Sequence, residues 1–380
     1  MPNNLRLSAR RLLLAGIVTL PFAFTGCVST IVKAPNEPVD TSNLVWPGPP
    51  DPARVAYVTS LRSQSLLSGG KKEETGSLLK NMLLGVDKNA GSEDDIVINK
   101  PYGVHADNTG RVFVTDTDLN KLLVFDLKAK KVSVWGDEGK GRLRKPIGVT
   151  SDSTGRIFVT DATDKRVVIF DRNGKFLYAW NAGGSFVRPT GIAIDEARER
   201  VYVIDTSRHN ISVLDMRGTL ITTLGSRGVD PGQFSYPTNL AVGPKGRLYV
   251  VDSLNHRVQI MKPDGSVVKT FGRNGDAPGS FSRPKGIALD SDGNIYVVDA
   301  AFGNVQIFDQ EGNILLYVGV GGGEPGQFQL PAGAYMAKDR LYVADQLNSR
   351  IQIFKYLKLP TEEKPKEEKP TAEKKAVPTS

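Results

Sequence analysis

A pattern of short apolar runs recurs six times along this 380-residue chain. Each copy contains an apolar run that ends in aspartate, and successive aspartates stand 44 to 47 residues apart. They are Asp116, Asp161, Asp205, Asp252, Asp299 and Asp345. A fixed period of this length is typical of one supersecondary unit copied in series, with neighbouring units burying each other's apolar faces.

Each unit divides into four short strands. The first begins at a proline 14 to 16 residues before the aspartate, and the second is the run that ends there. The third alternates polar and aliphatic residues in several copies, as in VQIM and VQIF, which is the period of a strand. A turn containing glycine, such as residues 171–174, leads into the fourth. Four-stranded antiparallel groups at this period predict an all-β, six-bladed β-propeller.

The second residue after each proline is glycine in five units, and Asn239 replaces it in the fourth. After glycine, asparagine is among the residues that best tolerate a positive φ. This exchange therefore predicts a left-handed backbone at that position of every unit.

The sixth unit lacks a fourth strand, because its third strand is followed by Pro360 and a polar segment. Residues 54–61 read as a lone strand upstream of the first unit. We predict that they form the outer strand of blade six, so that the propeller spans 54–357 and has no open sheet edge. The insertion at 62–95 predicts a loop with a short helix at 77–85, or alternatively a docking element for a partner.

The N-terminus has the layout of an export signal. Arg6, Arg10 and Arg11 precede an apolar run at 12–24, which is too short for an ordinary membrane-spanning helix. A basic start, an apolar middle and small residues before a cleavage point predict a signal peptide at 1–26. Without lipidation of the cysteine that follows, the alternative is a plain membrane-anchored or cleaved segment.

The residues Phe24-Thr-Gly-Cys27 resemble the lipobox of bacterial lipoproteins. That resemblance implies lipidation of Cys27, the only cysteine of the chain, and attachment to the membrane through this lipid. Val28 after the cysteine implies, by the same resemblance, the outer membrane of the cell envelope. We also expect a proline-rich tether at 27–53 and a disordered Lys/Glu/Pro tail at 358–380, the latter alternatively a cell-wall or partner tether.

The formal net charge is +8, and it falls to +5 once the three signal arginines are removed. A modest charge spread over scattered lysines and arginines does not indicate a nucleic-acid partner. We therefore expect no nucleic-acid binding.

Three sequence motifs resemble parts of the NHL repeat. Residues 284–290 read PKGIALD and 293–299 read GNIYVVD, and a Gly-x-Phe-x-x-Pro element occurs at 232–237, 279–284 and 326–331. The resemblance covers about 101–357 and implies the propeller fold. It leaves function open, because NHL propellers include protein binders, RNA binders and a few enzymes.

The repeated aspartates favour a structural role, since a residue present in every blade serves the blade. We expect each to cap backbone amides of its hairpin and to pair with the Lys, Arg or Asn that opens strand three. The three histidines, His105, His209 and His256, occupy different positions in their units. We predict no catalytic residue, metal ligand or cofactor.

The positions expected to face the central channel form a mixed set without a cluster of carboxylates and imidazoles. They are Tyr102, His105, Asn239, Lys285 and Tyr335. The sequence therefore favours a monomeric, envelope-anchored, non-catalytic scaffold that binds a protein, peptide or glycan through loops at one end of the ring. The alternative is a metal-dependent envelope lyase or lactonase-type hydrolase with its site in the channel.

Loops that differ between blades are the expected recognition surface. The loop at 137–145 is basic, and the loop at 181–188 ends in Phe-Val-Arg. The candidate binding residues are Lys140, Arg142, Arg144, Lys145, Phe186 and Arg188. The basic loop suits an acidic partner or an anionic envelope polymer, or is simply a solvated loop.

Overall fold

The computed structural model of the protein describes residues 41, 43–68 and 95–358. The predicted signal peptide, Cys27, most of the tether, the helix expected at 77–85 and nearly all of the tail lie outside the described residues. Among the residues that are described, no helix has the length and apolar character needed to cross a membrane.

The fold is a ring of six antiparallel blades. The chain starts with β1 (Val45–Trp46), β2 (Val55–Leu61) and a one-turn helix, α1 (Gln64–Leu67). Blade one comprises β3 (Pro101–Ala106), β4 (Arg111–Asp116), β5 (Lys121–Asp126) and β6 (Lys131–Trp135). Blade two comprises β7 (Pro146–Ser151), β8 (Ile157–Asp161), β9 (Arg166–Phe170) and β10 (Phe176–Trp180). Blade three comprises β11 (Pro189–Asp195), β12 (Arg200–Asp205), β13 (Asn210–Asp215) and β14 (Leu220–Leu224).

The remaining blades follow the same order. Blade four comprises β15 (Pro237–Val242), β16 (Leu248–Asp252), β17 (Arg257–Met261) and β18 (Val267–Phe271). Blade five comprises β19 (Pro284–Leu289), β20 (Ile295–Asp299), β21 (Asn304–Phe308) and β22 (Ile314–Val318). Blade six contains β23 (Pro331–Ala337), β24 (Arg340–Asp345) and β25 (Arg350–Tyr356). Single 3-10 turns lie at Gly139–Gly141, Ala182–Gly184, Glu196–Arg198, Pro244–Gly246 and Ser253–Asn255.

The N-terminal strand closes the ring. Blade six has the strand order β1-β2-β25-β24-β23, and β2 pairs antiparallel with β25 from Val55 opposite Tyr356 to Leu61 opposite Ile351. The predicted closure is confirmed. The extra strand β1 was not expected, because the sequence places Trp46 in the tether. Its indole packs edge-on against Phe354 at 5.7 Å between ring centroids, so blade six includes part of the predicted tether.

Apolar clusters between neighbouring blades form the core. The phenylalanines of the Gly-x-Phe-x-x-Pro element, Phe234, Phe281 and Phe328, are at most 1% exposed. A Cβ on Gly225, which has a φ of 81°, would lie 2.3 Å from the Phe234 ring. Glycine is therefore required there by backbone conformation and by space together.

The glycine after each inner-strand proline has a different cause from the one we predicted. Neither Gly103, Gly286 nor Asn239 has a positive φ. A Cβ on Gly103 would instead lie 2.2 Å from the carbonyl oxygen of Ile147 on the next blade. The prediction of a left-handed backbone is wrong, because the constraint is the close approach of adjacent inner strands around the channel.

The repeated aspartates are buried, with 0% exposure in all six blades. Asp116 accepts hydrogen bonds of 2.8–3.0 Å from the backbone N–H groups of Asn99, Lys100, Asp118 and Leu119. It thereby ties the loop that enters the blade to the hairpin that follows the aspartate. The predicted structural role is confirmed, and it extends beyond the hairpin to the incoming loop.

Blades four and six hold the carboxylate with side chains as well. Asp345 accepts hydrogen bonds from Arg350 Nε at 2.8 Å, Asn348 Nδ2 at 2.8 Å and Gln352 Nε2 at 3.1 Å. Asp252 has the equivalent ion pair, at 2.8 Å, with Arg257. The predicted pairing across the turn is thus present in these two blades, whereas among the described ion pairs the other four aspartates have none.

We predict that Arg350→Met destabilises the ring by about 3–5 kcal/mol, because it leaves Asp345 as an uncompensated buried charge. Arg350 is 1% exposed and also donates to the carbonyl oxygens of Glu324 and Gln327. Urea unfolding measures the change. The matched control is Arg166→Met at the same position of blade two, where the ion pair with Asp164 is partly exposed and contributes less than about 1 kcal/mol. Equal losses in both variants would contradict the assignment.

Candidate functional site

The inner strands β3, β7, β11, β15, β19 and β23 pack side by side around a central channel. Its middle is a cavity of about 240 Å³ with an aliphatic lining that includes Val149, Ile192, Leu240 and Ile287. The two ends differ in chemistry. We call the end where the inner strands begin, at their prolines, the entry mouth, and the end where they finish the exit mouth.

The entry mouth is ringed by cations. The residue immediately before the inner-strand proline is basic in four of the six blades: Lys100, Lys145, Arg188 and Arg283. All four side chains are exposed, and none forms a salt bridge within residues 95–358. We call these four residues the cationic crown.

Buried aspartates position the crown. The backbone N–H of each crown residue donates to the repeated aspartate of its own blade, at 2.9–3.1 Å. In blades four and six, where an arginine already pairs with the aspartate, Tyr236 and Leu330 stand before the proline. Each crown side chain therefore projects from a backbone that its own blade holds in place.

Lys285 lies across the entry mouth. Its Nζ is 5.4 Å from the centroid of the Tyr102 ring in blade one and 3.4 Å from Gln346 Oε1 in blade six, although Lys285 belongs to blade five. Burial, with repulsion from Arg283 and Lys100, lowers the pKa of Lys285 to about 8. The ammonium group remains the main form at neutral pH.

Tyr102 faces the same space. Burial raises the pKa of its phenol, while the positive charge of Arg188 in blade three opposes that rise. The hydroxyl is therefore neutral at pH 7 and able to donate a hydrogen bond. Arg188 of blade three thus acts on Tyr102 of blade one, at the same mouth where Arg283 and Lys100 act on Lys285 of blade five.

The exit mouth contains a histidine and a serine in contact. His105 Nε2 lies 2.7 Å from Ser151 Oγ, and the imidazole packs against the Tyr335 ring with 4.2 Å between centroids and 54° between ring planes. Burial lowers the pKa of His105 to about 4, so the ring is neutral at pH 7. Its Nδ1 is sealed from solvent and has no hydrogen-bond partner within the described part of the chain. A catalytic Ser–His pair normally has a third group that orients the imidazole.

The structure places the predicted binding residues in different settings. Lys140, Arg142 and Arg144 are exposed on the loop that leads into blade two, and Arg144 Nε lies 3.7 Å from Asp164. Lys145 and Arg188 belong to the crown. Phe186 is 3% exposed and packs in the core between blades two and three. Its prediction as a binding residue is wrong, because the apolar ring serves the interblade core.

The other histidines occupy turns. His209 and His256 have φ values of 56° and 53°, and His209 Nδ1 accepts the backbone N–H of Tyr236 at 3.1 Å. Asn239 lies in the channel wall. In the ranges that the structure covers, no three His, Cys, Asp or Glu side chains are arranged to hold a metal ion.

The sequence correctly placed Tyr102, Asn239 and Tyr335 at the channel, but it predicted neither the crown as a group nor the contact between His105 and Ser151. The crown has a readable signal, since a basic residue precedes proline at the same position of four units. The contact between His105 and Ser151 has a weaker one, because they stand 46 residues apart at adjacent positions of successive inner strands. The partners of Lys285 cannot be read from its neighbours in the sequence, since blades one and six supply them.

Family models agree with the architecture. A model described as a 6-bladed β-propeller matches residues 143–226, which places the ring in that class of fold. The NHL repeat model matches residues 234–261 and 281–308. The chain therefore carries NHL repeats in a six-bladed β-propeller. No curated protein matches its sequence.

Solved structures resemble the ring at low sequence identity. A streptogramin B lyase is 18% identical, with a TM-score of 0.51, and covers 69% of this chain and 95% of its own. A protein of unknown function from Bacteroides thetaiotaomicron is 19% identical, with a TM-score of 0.55, and covers 68% of this chain and 70% of its own. The virginiamycin B lyase of Staphylococcus aureus is 15% identical, with a TM-score of 0.52, over 68% and 96%. These likenesses show the fold alone.

The buried ammonium predicts a dependence of stability on pH. The pKa of Lys285 is about 8 in the folded protein and near its ordinary 10.5 when unfolded, so the unfolded state binds more protons between these values. Stability therefore rises as the pH increases from about 8 to about 10.5. Lys285→Met removes this contribution and at pH 7 gains on the order of 2–3 kcal/mol.

Urea unfolding at pH 7, 8, 9 and 10 measures this dependence as the difference between the parent chain and each variant. Lys269→Met is the control, since Lys269 is exposed on β18 and loses the same charge. If the difference between parent and Lys285→Met stayed constant across this range, the lysine would not be the buried ammonium described above.

Proposed function

We propose that this protein is a lipid-anchored, non-catalytic scaffold of the bacterial cell envelope that binds an anionic protein segment, peptide or glycan at its entry mouth. The observation that carries the proposal is the cationic crown. Four exposed cations without carboxylate partners in the described structure surround one mouth, and a fifth, Lys285, lies across it.

The crown has the properties of a preorganised recognition surface. Buried aspartates fix the backbone of each crown residue, so fewer degrees of freedom are lost when a partner is bound. A ring of like charge also accelerates encounter with an oppositely charged partner and makes it dependent on salt. The exposed Lys140 and Arg142 extend this basic surface outward along the loop before blade two.

The start of β2 and the end of β25 lie on the exit side of the ring. Lys358 Nζ binds Asp292 at 3.0 Å, in the turn between β19 and β20 on the exit side. The N–H of Leu357 donates to the carbonyl oxygen of Arg54, which brings the start of β2 to the same side. The described chain therefore ends on the side opposite the crown, whereas β1, which pairs antiparallel with β2, runs toward that side from the direction of the entry mouth.

A second candidate function is an envelope lyase or lactonase-type hydrolase. The observation that favours it is the 2.7 Å contact between His105 Nε2 and Ser151 Oγ at the exit mouth. We prefer the scaffold because an imidazole with a pKa of about 4 is a weak base at neutral pH. Turnover of a small ester or lactone that is lost in Ser151→Ala would reverse this preference.

We predict that reversing the crown (Lys100→Glu, Lys145→Glu, Arg188→Glu and Arg283→Glu together) weakens binding of a polyglutamate peptide by more than about tenfold. The reason is loss of the attractive field at the mouth, so the salt dependence of binding falls as well. Titration calorimetry at two salt concentrations measures both effects. The control reverses four exposed lysines away from the mouth: Lys128, Lys175, Lys262 and Lys269.

Similar losses in the crown and control variants would mean that only net charge matters, and the crown would then not be a recognition site.

In cells, a photo-crosslinker at the loop of Lys140 is expected to capture a discrete envelope partner. That capture should disappear in the crown variant and persist in the control.

We predict that Cys27→Ala abolishes incorporation of labelled fatty acid and releases the protein from the membrane fraction, because the thiol is the point of lipid attachment. A lipid anchor differs physically from a spanning helix, so detergent partitioning changes with loss of the lipid. Metabolic labelling and fractionation measure the outcome. Unchanged labelling in the variant would refute lipidation at this residue.

A further inference from the structure

Lys285 is a cation with too few partners. An ammonium group carries three donors. Within the described structure its hydrogen-bonding partner is Gln346 Oε1, at the long distance of 3.4 Å, and the face of Tyr102 lies 5.4 Å away. Its charged neighbours Lys100 and Arg283 repel it. A partly buried charge in such surroundings is costly, and costly charges concentrate at sites that receive a ligand.

The groups around it suit a single negative charge. Lys285 offers an ammonium whose Nζ lies 5.4 Å from the centroid of the Tyr102 ring, and the neutral phenol of Tyr102 adds a hydrogen-bond donor at the same mouth. The main chain of Lys285 is fixed, because its carbonyl oxygen accepts the Thr238 hydroxyl at 3.0 Å. One ammonium and one hydroxyl can each donate to one of the two oxygens of a carboxylate.

Tyr102 also lines the small channel cavity, whose wall combines aliphatic side chains with polar ones such as Asn239. Ile147, Ile192, Leu240 and Ile287 line the channel cavity, which has a volume of about 240 Å³. Pockets for drug-sized ligands enclose roughly 300–1,000 Å³. The cavity therefore fits a short apolar group that is attached to the carboxylate, not an extended ligand.

We infer that the entry mouth is a pocket for the free C-terminal carboxylate of a peptide that ends in an apolar residue. Lys285 Nζ and the Tyr102 hydroxyl hold the carboxylate, and the last side chain enters the aliphatic channel. This inference rests on the proposed function and narrows it. The crown attracts an anionic partner from a distance, and Lys285 selects a chain end.

The test compares two peptides on the full-length protein: acetyl-Ala-Ala-Leu with a free carboxylate, and the same peptide with a C-terminal amide. NMR of lysine Cε groups follows the titration of Lys285, which Lys285→Met assigns. We expect the acid to raise the pKa of Lys285 above its free value of about 8. We expect the amide to bind at least about tenfold more weakly, since it cannot form the charge-assisted hydrogen bond.

Variants locate the effect. Lys285→Met is expected to weaken binding of the acid at least about tenfold, and Tyr102→Phe less, because it removes one neutral hydrogen bond. Lys269→Met is the control and is expected to bind the acid unchanged. The comparison of acid with amide needs no substitution, so it remains decisive even if a variant is unstable.

Three outcomes would overturn the inference: equal binding of acid and amide, no change at Lys285 with the acid, or a shift caused by inorganic phosphate but not by the peptide acid. Polyglutamate binding separates this inference from the proposed function. Lys285→Met is expected to weaken that binding by less than reversal of the crown does, because four of the five cations remain. If the parent protein bound the acid and the amide equally but still bound polyglutamate through the crown, the carboxylate pocket would be refuted and the proposed function would not.

Discussion

Six buried carboxylates organise this ring. Each sits at the end of the second strand of its blade with no exposure to solvent, where an unsatisfied charge would cost several kcal/mol. Backbone amides from the incoming loop and from the hairpin satisfy Asp116, while arginine, asparagine and glutamine side chains complete the set at Asp345. The carboxylate therefore fixes where every blade begins, and with it the entry mouth of the channel.

The position of the cationic crown depends on the hydrogen bonds to these aspartates. Where backbone amides alone hold the aspartate, the residue before the proline is basic and points outward, and the four such blades make the crown. Where an arginine pairs with the aspartate, that position is Tyr236 or Leu330. The cations that surround the mouth therefore belong to the four blades whose buried carboxylate has no ion pair. The two blades with an ion pair have an uncharged residue at the same position.

The titratable side chains at the two mouths carry different charges. At the exit mouth, burial keeps His105 neutral beside Ser151. At the entry mouth, Lys285 keeps its charge at neutral pH although neighbouring cations oppose it. A buried charge that destabilises the folded protein is expected where the compensating charge belongs to a ligand. The entry mouth is therefore the end of the ring that we assign to recognition.

The sequence by itself determined the repeat, the four strands of each blade, the closing strand at 54–61 and the structural role of the aspartates, because these depend on local periodicity and short turns. It placed Phe186 on the surface and assigned the inner-strand glycines to backbone conformation. Only the tertiary structure decided these points, since the neighbouring blade supplies the contacts that bury Phe186 and crowd Gly103. Lys285 shows the same limit: its partner Gln346 is 61 residues away, so its environment exists only once the ring has closed.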